Sequence, residues 1–390
     1  MKAYVYNENT CTRVKLYGKD VIELLKANEC MIVDNKDEAD FIFMNTCSFL
    51  ESKSEYFLSK LKREYLDKKD NQKIVIIGCL GGTHKEKIDE ISKDIIIFKR
   101  DLEDIKEYFK FEKMPKGKST NVTDKLPLDK KLIYIFNKLF LHSKHIEYRL
   151  KRNKVCYLQI ASGCMGKCSY CSEKFITKLK SRSIEELQET LRDGIERGYT
   201  LFGLNSDDAS CFGKDNGESL EKLLEMVTSF KEDIHFSIPE FNPNGLSEKV
   251  VDLLSNKKFL YITCPIQSGS NRILKLMRRP YKINDVIKKI EKIKKNNKNL
   301  KINTHVIVGF PGETREDFEE TKRLLERNIF DRVKVFMYND RPNTEASKME
   351  NKISDEEKER RRDELLDVIK KCNLKKFSLT NLILNREQLK

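Results

Sequence analysis

Gly163-Cys164-Met165-Gly166-Lys167-Cys168-Ser169-Tyr170-Cys171 places three cysteines on one short stretch, with three residues and then two between them. Three thiols so close on one loop cannot all pair as disulfides without strain. They can wrap a single metal cluster. Soft thiolates select iron–sulfur, zinc or copper(I), and a closed structural zinc site needs a fourth ligand that does not follow within a few residues. A [4Fe–4S] cube held by three cysteines leaves one iron open to a substrate or cofactor. A zinc knuckle or three buried thiols is the alternative reading of the same spacing.

The stretch is delivered by an apolar strand expected over Val155–Ile160. After it the chain alternates strand and helix. A helix is expected over Ser183–Arg197, with Ser183 as its N-cap and Glu186 three residues on. Further strands are expected over Thr200–Asn205, Ile234–Pro239, Phe259–Cys264, Lys301–Val308 and Arg332–Tyr338, with helices near 218–230, 246–255, 282–295 and 315–327. Six strand–helix units are too few to close an eight-fold barrel. A partial six-stranded parallel barrel fits, with its site at the carboxyl ends of the strands, where the Cys164 loop already lies.

The first hundred residues repeat the alternation. Strands are expected over Lys2–Asn7, Cys30–Asp34, Asp40–Asn45, Lys73–Ile77 and Asp94–Phe98, and helices over Lys15–Glu29 and Lys53–Lys68. This pattern predicts an open, mostly parallel α/β sheet. Cys11, Cys47 and Cys79 each fall just past a strand's carboxyl end, the edge at which open parallel sheets bind ligands. Cys30 begins a strand and reads as core. The division expected is therefore an N-terminal domain over 1–100, a junction over 101–152 with a loop at Met114–Lys131 and an apolar-basic helix at Leu132–Leu150, a barrel over 153–345, and a helical tail over 346–390.

The 390 residues are 39% hydrophobic and 35% charged, and no apolar run is long enough to span a membrane. The N-terminus lacks a signal-peptide apolar core, so the expected location is cytoplasmic. Eleven cysteines in such a chain argue for metal or redox chemistry over a disulfide frame. The net charge of +14 suits a polyanion such as RNA, although lysine is spread along the chain and a lysine-rich composition would give the same sum.

The Cys164 stretch and its flanks resemble the radical S-adenosylmethionine (SAM) superfamily. Asn45-Thr46-Cys47, Gly78-Cys79-Leu80, Pro265–Ser270, Met277–Tyr281, Val308–Thr314 and Phe336–Thr344 resemble, within it, the methylthiotransferases, closest to the archaeal and eukaryotic branch that acts on tRNA. The resemblance covers about 1–100 and 150–350. It implies one [4Fe–4S] cluster on Cys164, Cys168 and Cys171, whose open iron chelates SAM, and an auxiliary [4Fe–4S] cluster on Cys11, Cys47 and Cys79. A 5′-deoxyadenosyl radical would remove hydrogen from an unactivated carbon, sulfur would come from the auxiliary cluster, and a second SAM would supply the methyl group.

It also implies SAM contacts from Tyr170, Asn205, Gln267, Ser268, Gly309, Phe310 and Gly312, with Gly309–Gly312 letting backbone amides approach the ligand. Asp207, Asp208 and Arg341 are expected to face substrate. No catalytic side chain is assigned beyond the cluster ligands. The implied substrate is an N6-modified adenosine at tRNA position 37 or a ribosomal protein, and the implied electron donor a flavodoxin or ferredoxin.

Four features depart from the family pattern. Asp207 stands where a Gln is usual and Asn343 where a Gly is usual. The Arg-Gly pair expected after Cys171 is missing. The usual terminal RNA-binding β-barrel has no matching run of strands before Lys390. A ribosomally made peptide is therefore a rival substrate, and a second cluster used only for electron transfer or peptide anchoring a rival chemistry. A non-catalytic iron–sulfur or RNA-binding scaffold would leave the Gly309 loop without a role.

Overall fold

The computed structural model describes residues 1–115 and 155–372. The helix expected at Leu132–Leu150 and the end of the chain lie outside these residues.

Two parallel sheets organise the chain. The first contains β1 (Lys2–Tyr6), β2 (Met31–Ile32), β3 (Phe41–Thr46), β4 (Lys73–Gly78) and β5 (Ile96–Ile97), in the order β2-β1-β3-β4-β5. Its strands read as continuous apolar runs because both faces are covered. Ile42, Met44, Ile74 and Ile76 pack on one side against Phe57 and Leu61 of α2 (Glu51–Asp67). Phe43, Val75 and Ile77 alternate to the other side, against Val21, Leu24 and Leu25 of α1 (Thr12–Ala27). Each such fully buried side chain contributes roughly 1.5–3 kcal/mol. Cys30 joins this second face, as its place in the sequence predicts.

The second sheet contains β6 (Val155–Gln159), β9 (Leu201–Asn205), β10 (His235–Ile238), β11 (Phe259–Thr263), β12 (Lys301–Val308) and β13 (Arg332–Met337), all parallel, in the order β13-β12-β11-β10-β9-β6. The outer strands β6 and β13 do not pair with each other, so the sheet stays open. A small antiparallel pair, β7 (Ala161–Ser162) and β8 (Lys180–Ser181), brackets the Cys164 loop. Helices Ile184–Glu196, Leu220–Ser229, Glu248–Leu254, Ile283–Asn296 and Arg315–Glu326 cover the outside and build the larger core with Phe202, Phe236 and Phe259. Ser183 caps the first of them, accepting from the Glu186 amide at 3.2 Å.

Boundaries agree with the sequence pattern to within a few residues. The structure adds short helices at 80–83, 85–91, 102–109 and 271–276, which are too short to show a helical period in the sequence. No helix among the described residues is long and apolar enough to cross a membrane.

The carboxyl edges of the two sheets face each other. Arg13 and Arg100 from the first unit pair with Asp207 and Glu173 of the second. The guanidinium of Arg341 donates to the carbonyls of Ser48 and Phe49, and the rings of Phe49 and Phe336 meet edge-to-face at 5.9 Å.

Candidate active site at the facing sheet edges

The three N-terminal cysteines are drawn together by two polar side chains at the end of β3. Asn45 donates to the side chain of Asn7 at 2.6 Å and to the carbonyl of Val14 at 2.7 Å, tying the start of α1 to β3. Thr46 donates to the carbonyl of Ile77 at 2.8 Å and accepts from the amide of Leu80 at 3.3 Å, tying the turn after β4 to the same point. Cys11 is thereby placed at the N-cap of α1, Cys47 directly after β3, and Cys79 directly after β4. Cys11 and Cys79 pack together with Val14 and Ile176. The Cys47 thiol hydrogen-bonds to Cys11, which, with Arg13 nearby, brings Cys11 down to about 5 against the opposing effect of burial. The same hydrogen bond, with burial, pushes Cys47 up. Burial, with smaller contributions from the charges of Glu173 and Cys11, pushes Cys79 up to about 12.

The second trio lies on the loop after β6. Gly163 holds φ at +78°, and a Cβ there would fall 2.1 Å from the Lys178 carbonyl oxygen, so only glycine makes this turn. The amide of Gly166 donates to Cys164 Sγ at 3.1 Å, and that of Glu173 to Cys171 Sγ at 3.4 Å. Arg279 donates to Cys168 Sγ at 3.7 Å and to the Pro265 carbonyl at 3.1 Å. Donors aimed at all three sulfurs suit thiolates, which is how cysteine binds an iron–sulfur cluster. A Cβ on Gly166 would crowd the Cys164 sulfur at 3.1 Å and touch the Cys168 sulfur at 3.8 Å. No disulfide joins any cysteine among the described residues. With no sulfur taken up in a disulfide, each trio has the ligand count of one [4Fe–4S] cluster with an open iron. At the barrel strands, Ser206 Oγ, Gln267 Oε1 and Asn303 Nδ2 are buried without a hydrogen-bond partner, which fits a polar ligand such as SAM.

Several expected contacts are corrected by the geometry. Asp207 does not face substrate: both its oxygens are taken by Arg13, Arg100 and the Gly163 amide. Asp208 is also committed. Its Oδ1 accepts from the amides of Ser210 and Asn242, and its Oδ2 accepts from the Cys211 thiol and lies 3.6 Å from Cys164 Sγ. Ser268 is fully buried, bonded to Thr321 and to the Ser270 amide, so it is part of the frame. The Gly309 and Gly312 amides donate to Glu313 Oε2 and the Asn351 carbonyl, both at 2.7 Å, and offer nothing to a ligand. Asn205 donates to Gln159.

Tyr170 and Phe310 do come together, their rings 6.4 Å apart, with Tyr338 completing the cluster. Gln267 sits at φ +66° beside β12 with its side-chain oxygen unpaired. Arg341 reaches across to the Cys47 loop and borders a cleft of about 240 Å³ with Glu51, His84 and Lys87. Missed from sequence were Arg13, Arg100, Glu173, Arg279 and Cys211. The Cys211 thiol lies within 4.8 Å of the Cys164 sulfur and the Asp208 carboxylate.

The loop at Gly309 is clamped from the C-terminal helix Asp355–Lys371. Arg361 donates to the Glu313 carboxylate at 2.7 Å and its carbonyl at 3.0 Å, with side-chain exposures of 6% for Arg361 and 1% for Glu313. Removing one partner of such a pair leaves the other charge buried, so Arg361→Met should cost about 3–5 kcal/mol, read as a lower urea midpoint. A loss below about 1 kcal/mol would mean the pair behaves as a solvated surface bridge.

A cysteine trio on the loop after the first strand of an open six-stranded parallel sheet is the arrangement of a radical SAM enzyme. Residues 158–325 match the Radical SAM superfamily and residues 7–98 the "Uncharacterized protein family UPF0004". Over 347 residues the chain is 30% identical to the ribosomal protein uS12 methylthiotransferase RimO of Thermotoga sp. (strain RQ2), covering 86% of this chain and 76% of that relative. Over 360 residues it is 29% identical to the probable threonylcarbamoyladenosine tRNA methylthiotransferase of Pyrococcus horikoshii, covering 89% and 79%. In fold it is similar to the radical S-adenosylmethionine methyltransferase TsrM of Kitasatospora setae, with a TM-score of 0.63 at 10% identity over 89% of this chain and 76% of that one. The chain belongs to the radical SAM methylthiotransferase family, enzymes that insert sulfur and transfer a methyl group using SAM and two [4Fe–4S] clusters.

Proposed function

We propose that Cys164, Cys168 and Cys171 hold the SAM-binding cluster, that Cys11, Cys47 and Cys79 hold the auxiliary cluster, and that the enzyme methylthiolates an N6-modified adenosine at tRNA position 37. The observation that carries the cluster assignment is the facing of two cysteine trios across the joined sheet edges. When bound, the clusters and SAM supply one-electron cleavage, a carbon-centred radical and the sulfur atom. The chain's own residues bind, orient and exclude water. The Gly166 and Glu173 amides and Arg279 stabilise negative sulfur. Ser206, Gln267 and Asn303 offer buried polar atoms for SAM, beside the Tyr170–Phe310 ring pair. A small reducing protein of the flavodoxin or ferredoxin kind would supply the electron, in the cytoplasm.

The tRNA reading is supported by the net charge of +14 and by the tRNA-directed relative. A protein substrate is the second reading, supported by the 30% identity to RimO, and a ribosomally made peptide belongs with it. The test is to incubate the reconstituted enzyme with bulk tRNA from a strain lacking the gene and digest it to nucleosides. A methylthio-adenosine mass is expected, and tRNA binding should weaken about tenfold or more from low to moderate salt as phosphate contacts release counterions. Unmodified tRNA, together with a gain of one methylthio group on ribosomal protein uS12 or a short peptide encoded nearby, would move the assignment to the second reading.

A further inference from the structure

Asp207 lies just past the end of β9, where the two units meet. Its Oδ1 accepts from Arg13 at 2.6 Å, and its Oδ2 accepts from Arg100 and from the Gly163 amide, each at 2.6 Å. Arg100 also pairs with Glu173. The side chains of Asp207 and Arg100 are 1% and 4% exposed. Two cations from the first unit thus meet two acidic side chains of the second in a largely buried set.

Each member sits beside a cysteine. Arg13 is two residues after Cys11, and Gly163 immediately precedes Cys164. Glu173 is two residues after Cys171 and its amide donates to that sulfur. Arg100 interacts electrostatically with Cys79. The network therefore borders both trios. Buried charges tolerate separation poorly, because parting the units would leave each charge unpaired in a low-dielectric gap. Bonds to both carboxylate oxygens also fix direction as well as distance.

We propose that Asp207 is a positioning residue that locks the two cysteine trios into one rigid unit and so sets the gap that sulfur must cross to reach the substrate carbon. This rests on the cluster assignment under Proposed function. A displacement of about 1 Å between reacting groups can cost on the order of 100-fold in rate, so a small slip between the units should separate radical formation from sulfur insertion.

The test is Asp207→Asn, which keeps the shape and removes the charge. The reconstituted variant should still carry about eight irons, as expected for two four-iron clusters. It should form 5′-deoxyadenosine within about threefold of wild type, while methylthio product per 5′-deoxyadenosine falls about tenfold or more. The spin–spin broadening between the two reduced clusters in low-temperature EPR should change, a readout that needs no substrate. Asp207→Glu, which keeps the charge, should recover most of the coupling. Wild-type broadening and product ratio in Asp207→Asn would overturn the proposal. So would loss of half the iron, which would reduce Asp207 to folding its own loop. If Asp207→Asn does not fold, Arg13→Gln removes one cation and leaves the Arg100 and Gly163 contacts, with the same expectation at smaller size and the same overturning results. Wild-type protein with about four irons, or with eight and no spin–spin broadening, would instead refute the cluster assignment itself.

Discussion

Replacing Cys164, Cys168 and Cys171 together by Ala is expected to abolish reductive SAM cleavage and leave about four irons on the chain, half the number two cubes supply. The size of the effect follows from what surrounds the three sulfurs. The Gly166 amide, the Glu173 amide and Arg279 are each aimed at one of them. Burial, with the charge of Glu173, pushes the Cys171 thiol up to about 12, so its thiolate form depends on a cation bound to it. Ala at the three positions removes every thiolate on the loop and leaves the donors facing empty space, at about 1–3 kcal/mol for each buried group left unsatisfied. The auxiliary trio depends on none of these contacts and should keep its iron. The measurement is 5′-deoxyadenosine formed under reducing conditions, beside iron per chain. Nucleoside above the background of cluster-free protein would show that the radical chemistry does not start at this loop.

The sequence made the two sheets and the two trios readable for a common reason. Runs such as Ile74–Ile77 and Ile42–Met44 are apolar on both faces, and parallel strands covered on both sides look like that wherever they occur. A cysteine directly after such a run has only one edge of the sheet to occupy, so Cys47 and Cys79 could be placed without coordinates. What joins the trios was not readable. Arg13 and Asp207 are 194 residues apart and Arg100 and Asp207 are 107 apart, and nothing local marks them as partners. An acidic pair at a strand end looks like a substrate contact, whereas Asp207 has both oxygens taken within the protein and Asp208 is held by the amides of Ser210 and Asn242.

Ser268 misled for a similar reason. A hydroxyl after a strand can face the barrel mouth or tie down the next helix, and here Thr321, far along the chain, decides for the second. The Gly309–Gly312 turn shows the limit of motif reading most clearly. Glycines at a strand–helix junction suggest amides open to a ligand. Glu313, from the same motif, turns back to take the Gly309 amide, and Arg361 of the C-terminal helix then holds Glu313 in place.

Replacing Cys11, Cys47 and Cys79 by Ala should have the opposite signature: SAM cleavage within about threefold of wild type, about four irons, and no methylthio product. The trio is held by Asn45 and Thr46, whose bonds to Val14, Ile77 and Leu80 do not pass through the sulfurs. The N-terminal sheet should therefore survive the change, and the contacts of Arg13 and Arg100 with Asp207 should still seat it against the barrel. The SAM-binding loop would keep its own ligands, its Gly163 turn and its amide donors, so radical formation should continue without a sulfur source beside it. Cys30→Ala is the matched control. Cys30 is buried among Val21, Leu24 and Leu25 on the α1 face of the sheet, away from the strand-end edge, and its loss should leave both iron and product unchanged apart from a modest cost in stability. Loss of half the iron in Cys30→Ala, or methylthio product from the triple variant, would place the sulfur-donating ligands somewhere other than the three strand ends.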